Sequence, residues 1–126
     1  MANEKTIFTE SFIAGEDLRL MQYHGVKLNG NRTVDVIDAD TDIPVGILLD
    51  EPNDTEEGLV MIVGRCPVVV GEAIVAGANF CFDADGHAEP WDITDTDQRP
   101  AGIVTIGAAA GEVGEVIVGV GAIATA

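Results

Sequence analysis

Positive charge is scarce in this 126-residue sequence: six Lys and Arg stand against 22 Asp and Glu, for a net charge of −16. A surface this anionic is repelled by phosphate backbones and anionic lipid headgroups, which sets nucleic-acid and membrane binding aside. Lys5 and Lys27 are the only lysines. The glycine-rich C-terminal third therefore lacks the lysine of a Walker phosphate loop, and neither lysine sits in the Met-Lys hairpin of a biotinyl or lipoyl carrier. Ser11 is the only serine and has no G-x-S-x-G setting. Cys66 and Cys81 are the only cysteines, and MANEKTIFTE has neither an apolar leader core nor a basic stretch. Two cysteines in such a chain read as free and buried, in a protein made in a cytoplasm without a cleaved signal. Arg65 would lower the pKa of the neighbouring Cys66 thiol, but no histidine is near it in sequence. His24 and His87 lie far apart, with no H-x-x-x-H or C-x-x-C spacing, so a zinc site has little support. No apolar run approaches the ~20 residues of a membrane helix. No catalytic residue, metal or cofactor is assigned, and the profile favours an interaction protein over an enzyme.

Apolar residues make up 47% of the chain, aromatics 5%, and 15 glycines fall at short intervals. The core is accordingly built of Val, Ile, Leu and Ala between many turns. One stretch occurs twice. Pro44 to Gly64 and Pro100 to Gly121 both open on Pro-x-Gly-Ile, and Pro44/Pro100, Gly46/Gly102, Ile47/Ile103, Glu56/Glu112, Gly58/Gly114 and Val60/Val116 match at one offset. Self-similarity of this kind suits a single β domain that uses one hairpin design twice. The loops of the two copies differ: Asp50 to Glu57 is acidic, while Gly107 to Val113 is nearly uncharged. In equivalent places, one would face water and the other protein.

Residues 1–16 read as an N-terminal arm and residues 17–126 as a single β domain. Thr6-Ile7-Phe8-Thr9 and Ser11-Phe12-Ile13 are strand-like and hold two of the four phenylalanines. The arm either pairs with its own sheet or docks on a partner by strand addition, with Phe8 and Phe12 as anchors. Leu18 to Val26 alternates as a strand, and Asn29-Gly30 marks a hairpin returning along Thr33 to Ile37. Arg65-Cys66-Pro67 interrupts the next strand. Gly71 to Ala76 reads as a short helix or another strand. Asn79 to Phe82 is a strand turned by Asp83-Ala84-Asp85-Gly86, which has the opening of an EF-hand loop without its later ligands. The count is about eight to ten short strands with turns at the intervals of a sandwich or barrel. The expected fold is mainly β: a compact small β-barrel or sandwich of short antiparallel strands, with the N-terminal arm and at most one short helix.

The segments Phe80-Cys81-Phe82-Asp83-Ala84-Asp85-Gly86, Pro100-Ala101-Gly102-Ile103-Val104 and Ala109 to Val118 together resemble the small capsid decoration, or cement, proteins of tailed bacteriophages. In those proteins a turn of the V-Y-x-D-x-x-G kind precedes an I-G-I-A…A-A-x-G-E…V-x-V unit; here Phe82 stands at the aromatic and Ala101 precedes Gly102. The resemblance covers most of Val45 to Val120. It implies a compact, β-tulip-like fold, a homotrimer on the outer capsid surface of the virion, and a role in holding neighbouring capsomers together. It also implies that the arm touches the major capsid protein. Thr6, Ile7, Phe8, Phe12 and Ile13 are the expected capsid-binding residues, in an arm whose deletion through Ile13 would leave the β fold intact. Gly107, Ala108, Ala109, Ala110 and Gly111 are the expected subunit–subunit packing residues. Alternatives are another virion part such as a head-fibre or tail β domain, a small-ligand or carbohydrate-binding β-barrel with Trp91 and Tyr23 as its aromatic platform, and a cupin-like enzyme.

Overall fold

β-Branched runs broken by glycine, proline and Asx turns favour strands over helices, and the described residues contain no helix. The computed structural model describes residues 8–94, 98 and 100–119. Nine strands form there: β1 (Phe8–Ala14), β2 (Gly25–Leu28), β3 (Thr33–Val36), β4 (Pro44–Leu48), β5 (Glu57–Val69), β6 (Asn79–Phe82), β7 (Ala88–Pro90), β8 (Gly102–Ile106) and β9 (Val113–Val118). Their order is β1-β3-β2-β4-β5-β9-β8-β6-β7, and β1 also pairs with β5. The first five strands thus close into a barrel. The second half of β5 pairs with β9, and a parallel bridge between Val70 and Ala88 closes a second barrel through β9, β8, β6 and β7.

The repeat seen in the hairpins extends over both barrels. Ile47–Met61 and Leu48–Val60 are paired in β4–β5, and Ile103–Ile117 and Val104–Val116 in β8–β9, each 56 positions later. Phe12–Gly58 in β1–β5 corresponds to Val68–Gly114 in β5–β9. Val26–Val36 and Leu28–Val34 in β2–β3 correspond to Phe80–Pro90 and Phe82–Ala88 in β6–β7, here 54 positions later. The turns agree as well. Glu56 Oε1 accepts from the Asn53 N–H (2.7 Å) and Glu112 Oε1 from the Ala109 N–H (3.1 Å). The shared β5 changes barrels at Gly64, whose φ of 143° favours glycine.

Each barrel has its own apolar filling. Phe12, Ala14, Leu18, Val26, Val34, Leu48 and Val60 fill the first. Their counterparts Val68, Val70, Ile74, Phe80, Ala88, Val104 and Val116 all lie in the second cluster. Phe12 with Ala14 is answered by Val68 with Val70, and Val26 with Val34 by Phe80 with Ala88. Such swaps keep the total volume, which cores tolerate best. Ile37, Ile47 and Met61 of the first barrel join the second cluster, so the two barrels are packed together.

Three sequence expectations are corrected. Leu18 to His24 is not a strand: Met21 N–H donates to the Leu18 carbonyl and His24 N–H to the Met21 carbonyl in successive turns, and Tyr23 has φ of 66°. Cys66-Pro67 does not break β5, because residues 64–69 pair with β9 on one edge and position 67 is not called on to donate on the other. Gly71 to Ala76 is neither helix nor strand; it carries an isolated bridge from Ile74 to Ala108. Within the expected all-β barrel fold, β5 has 13 residues and β1 runs parallel to β3.

The repeat also explains the backbone strain. Among the described residues, Tyr23, Arg32 and Thr55 are the non-glycine residues with positive φ; their counterparts in the second barrel are Gly77, Gly86 and Gly111, all with positive φ. A β-branched side chain in that region is costly. Thr55→Gly is therefore expected to raise stability by about 1 kcal/mol in urea unfolding. At Gly46 and Gly102, an added Cβ would collide with the carbonyl oxygens of Met61 and Ile117. Gly46→Ala is expected to cost about 2–4 kcal/mol by the same measurement, because the obstruction is backbone rather than a movable side chain.

Candidate interaction surface

β1 lies within the sheet. It pairs antiparallel with β5 from Phe8 to Ile13 and parallel with β3 at Ile13 and Ala14. Strand alternation turns Phe12 and Ala14 into the first core, while Ile13 stays exposed. A register shift between Phe8 and Thr9 takes Phe8 out of the inward set, and it is 49% exposed. Arg32 fixes the outer edge: its Nη2 donates to the Ser11 carbonyl at 2.8 Å, and its guanidinium lies 5.3 Å from the Phe12 ring centre. Over the described residues the first of the two alternatives for the arm holds: it is a barrel strand paired with its own sheet, with Phe12 and Ala14 buried in the core. Phe8 and Ile13 remain presented to solvent. Thr6 and Ile7 lie outside the described residues.

The loop from Gly107 to Gly111 packs first on its own chain. A Cβ on Gly107 would meet the Ile74 carbonyl oxygen at 2.6 Å, and Ala108 is bridged to Ile74. Ala109, Ala110 and Gly111 are exposed. Around them Val75, Ile106 and Val113 are 66%, 57% and 55% exposed. The matching positions of the first barrel are Arg19, Asp50 and Glu57. One barrel end is thus charged and the other apolar, on a common backbone frame. Sequence reasoning identified the loop but not Val75, Ile106 and Val113; alignment of the whole repeat would have found them.

Where the barrels meet, backbones approach closely. Gly25 N–H donates to the Gly86 carbonyl (2.8 Å) and Val69 N–H to the Tyr23 carbonyl (3.0 Å). A Cβ on Gly25 would strike the Phe82 ring. The residues that follow or precede these glycines are His87 and His24, whose Nε2 atoms are 3.1 Å apart. Burial pushes the His24 pKa below its ordinary value, and the neighbouring His87 adds to the effect. Asp83-Ala84-Asp85-Gly86 is the turn of the β6–β7 hairpin: Asp83 Oδ1 accepts from the backbone N–H groups of Asp85 (2.8 Å) and His87 (3.0 Å).

The remaining sequence candidates separate. Burial pushes the Cys66 thiol up to about 12, the nearby Glu115 carboxylate adding to it, so Arg65 does not activate it. Tyr23 packs against the second core, whereas Trp91 Nε1 donates to the Gln98 carbonyl (3.1 Å). Among the described residues these two rings do not stack on each other.

The fold and its two exposed faces define a class, a double β-barrel module with one apolar end. No protein-family model matches the chain, and no curated protein does. Among solved structures, it is similar to the head fiber gp8.5 N base in bacteriophage phi29. The TM-score is 0.68 at 19% identity, over 90% of this chain and 94% of that one. At that identity the likeness concerns the fold.

Because β1 fills the first core, deleting Met1 to Ile13 is expected to unfold the first barrel, with loss of β signal in circular dichroism. Deleting Met1 to Ile7 is expected to leave that signal in place.

Proposed function

We propose that this protein is a structural component of a bacteriophage head, a decoration protein that seats on the outer surface of the expanded shell and stabilises contacts between capsomers of the major capsid protein. The observation that carries the reading is the likeness, over nine-tenths of the chain, to the base of a phage head fiber. The decoration-protein pattern in Phe80 to Val118 supports the same setting. A cement protein acts by differential affinity: it binds the expanded shell, not the precursor, and so stabilises the bound state by mass action. Phe8 and Ile13 on β1 are the contacts assigned to the shell. The apolar end of the second barrel, with Ala109 and Ala110 between Val75, Ile106 and Val113, is assigned to packing between copies in a homotrimer. Small side chains there let backbones approach, and removing such apolar surface from water is favourable.

A second reading, the base of a head fiber, is favoured by the name of the similar structure. Purified protein mixed with expanded heads separates the two. A decoration protein binds in many copies and raises the temperature at which heads release DNA. A fiber base occupies sparse positions by cryo-electron microscopy and leaves that temperature unchanged. Absence of binding to heads rejects both.

The trimer contact has its own test. Ile106→Asp with Val113→Glu installs the residues found at the matching positions of the first barrel. Both side chains are more than half exposed, so the fold is expected to persist while the native mass falls to that of a monomer. An unchanged oligomer would remove this end from the interface.

A further inference from the structure

His24 comes from the turn that enters β2 of the first barrel, and His87 from the β6–β7 hairpin of the second. Neither is inherited through the repeat, since the matching positions hold Ala78 and Thr33. The pair exists only where the two barrels touch. Nδ1 of His24 is 3.1 Å from the Gln22 carbonyl oxygen, which suits a hydrogen on that nitrogen and leaves its Nε2 a lone pair. Nδ1 of His87 is 3.8 Å from Asp83 Oδ2, beyond hydrogen-bond reach. The two Nε2 atoms lie 3.1 Å apart, so the His24 lone pair meets either an N–H of His87 or, across a bound cation, a second lone pair.

The geometry points to a metal ion more than to a shared proton. The ring centres are 4.8 Å apart, less than rings meeting head-on through nitrogens 3.1 Å apart would give. The nitrogens therefore meet off the line joining the rings, as a bent N–metal–N bridge requires and a linear N–H···N bond does not. Zinc–nitrogen bonds of about 2.0–2.1 Å at a tetrahedral angle place two ligand nitrogens about 3.3 Å apart. An imidazole whose other nitrogen meets a backbone carbonyl, as that of His24 meets Gln22, is a usual form of such a ligand. Asp83, Asp85 and His87 offer donor atoms within 4.8 Å of one another, a group that does not include His24.

We propose that His24 and His87 together bind one divalent transition-metal ion of the zinc class through Nε2, with water completing the shell, and that the ion clips the first barrel to the second. Hard ions such as Ca²⁺ and Mg²⁺ prefer all-oxygen shells and are disfavoured here.

The test uses the full chain, freed of metal with a chelator and titrated with ZnCl₂, CoCl₂ and CaCl₂ at neutral pH. One Zn²⁺ per chain is expected by calorimetry, with a rise in unfolding temperature. Co²⁺ is expected to give the visible absorption of a site with nitrogen ligands. His87→Gln and His24→Gln should each weaken Zn²⁺ binding at least tenfold and abolish the thermal rise. His87→Gln is the more exposed site, and its fold is checked by circular dichroism. No Zn²⁺-dependent shift, or a shift unchanged in His87→Gln, overturns the proposal. A Ca²⁺ response equal to that of Zn²⁺ would assign the site to the carboxylates and overturn it as well.

Discussion

The two barrels depend on one close approach, that of the Pro-x-Gly-Ile strand over its neighbour. At Gly46 and Gly102 the β4 and β8 backbones lie so near the Met61 and Ile117 carbonyls that no Cβ fits. A barrel of five short strands is tightly curved, and a glycine at the crossing lets the ladder continue without a gap. With that crossing fixed, the registers on both sides follow: Ile47 faces Met61 and Ile103 faces Ile117. A one-residue slip would turn each apolar set out of its core, so the glycine and the hydrophobic pattern select the same pairing.

Much of this was legible in the sequence. The doubled Pro-x-Gly-Ile hairpin, the Asn29-Gly30 turn, the Asp83 to Gly86 turn and the all-β class come from local chemistry that neighbouring residues carry themselves. The extent of the repeat was not. The second barrel replaces Val26 and Val34 by Phe80 and Ala88, and Phe12 and Ala14 by Val68 and Val70. Volume is preserved while identity is lost, and sequence comparison reads identity. A change of offset from 56 to 54 positions across β2 and β3 hides the rest. Leu18 to His24 misled for a related reason. Its alternation of apolar and polar residues mimics a strand, but Leu18 is buried and Leu20 is 87% exposed on successive turns.

The candidate surfaces were legible in proportion to how local they are. Gly107 to Gly111 stands out as a run of small residues. The apolar rim formed by Val75, Ile106 and Val113 is drawn from three separate segments and needs the fold to assemble it. The histidine pair is the extreme case, since 63 positions separate two side chains whose nitrogens touch. Nothing in either local sequence announces the other. The arm was read as one of two alternatives, and the deciding quantity is burial: Phe12 and Ala14 complete a core that the remaining strands leave open.

Duplication gives the chain an internal reference for what each barrel needs merely to fold. Positions that agree, such as Gly46 with Gly102 and Glu56 with Glu112, belong to the frame. Positions that disagree in chemistry while agreeing in backbone have been released from that demand. Arg19, Asp50 and Glu57 against Val75, Ile106 and Val113 is such a difference, and it concentrates at one end of one barrel. On a chain of net charge −16, an end that carries fewer charges than its counterpart presents a lower electrostatic cost of approach than the rest of the surface. The same logic separates the seam from the frame: His24 and His87 occupy turns whose counterparts are Ala78 and Thr33, so folding of a single barrel does not require them, and their role lies in how the two barrels are held to each other.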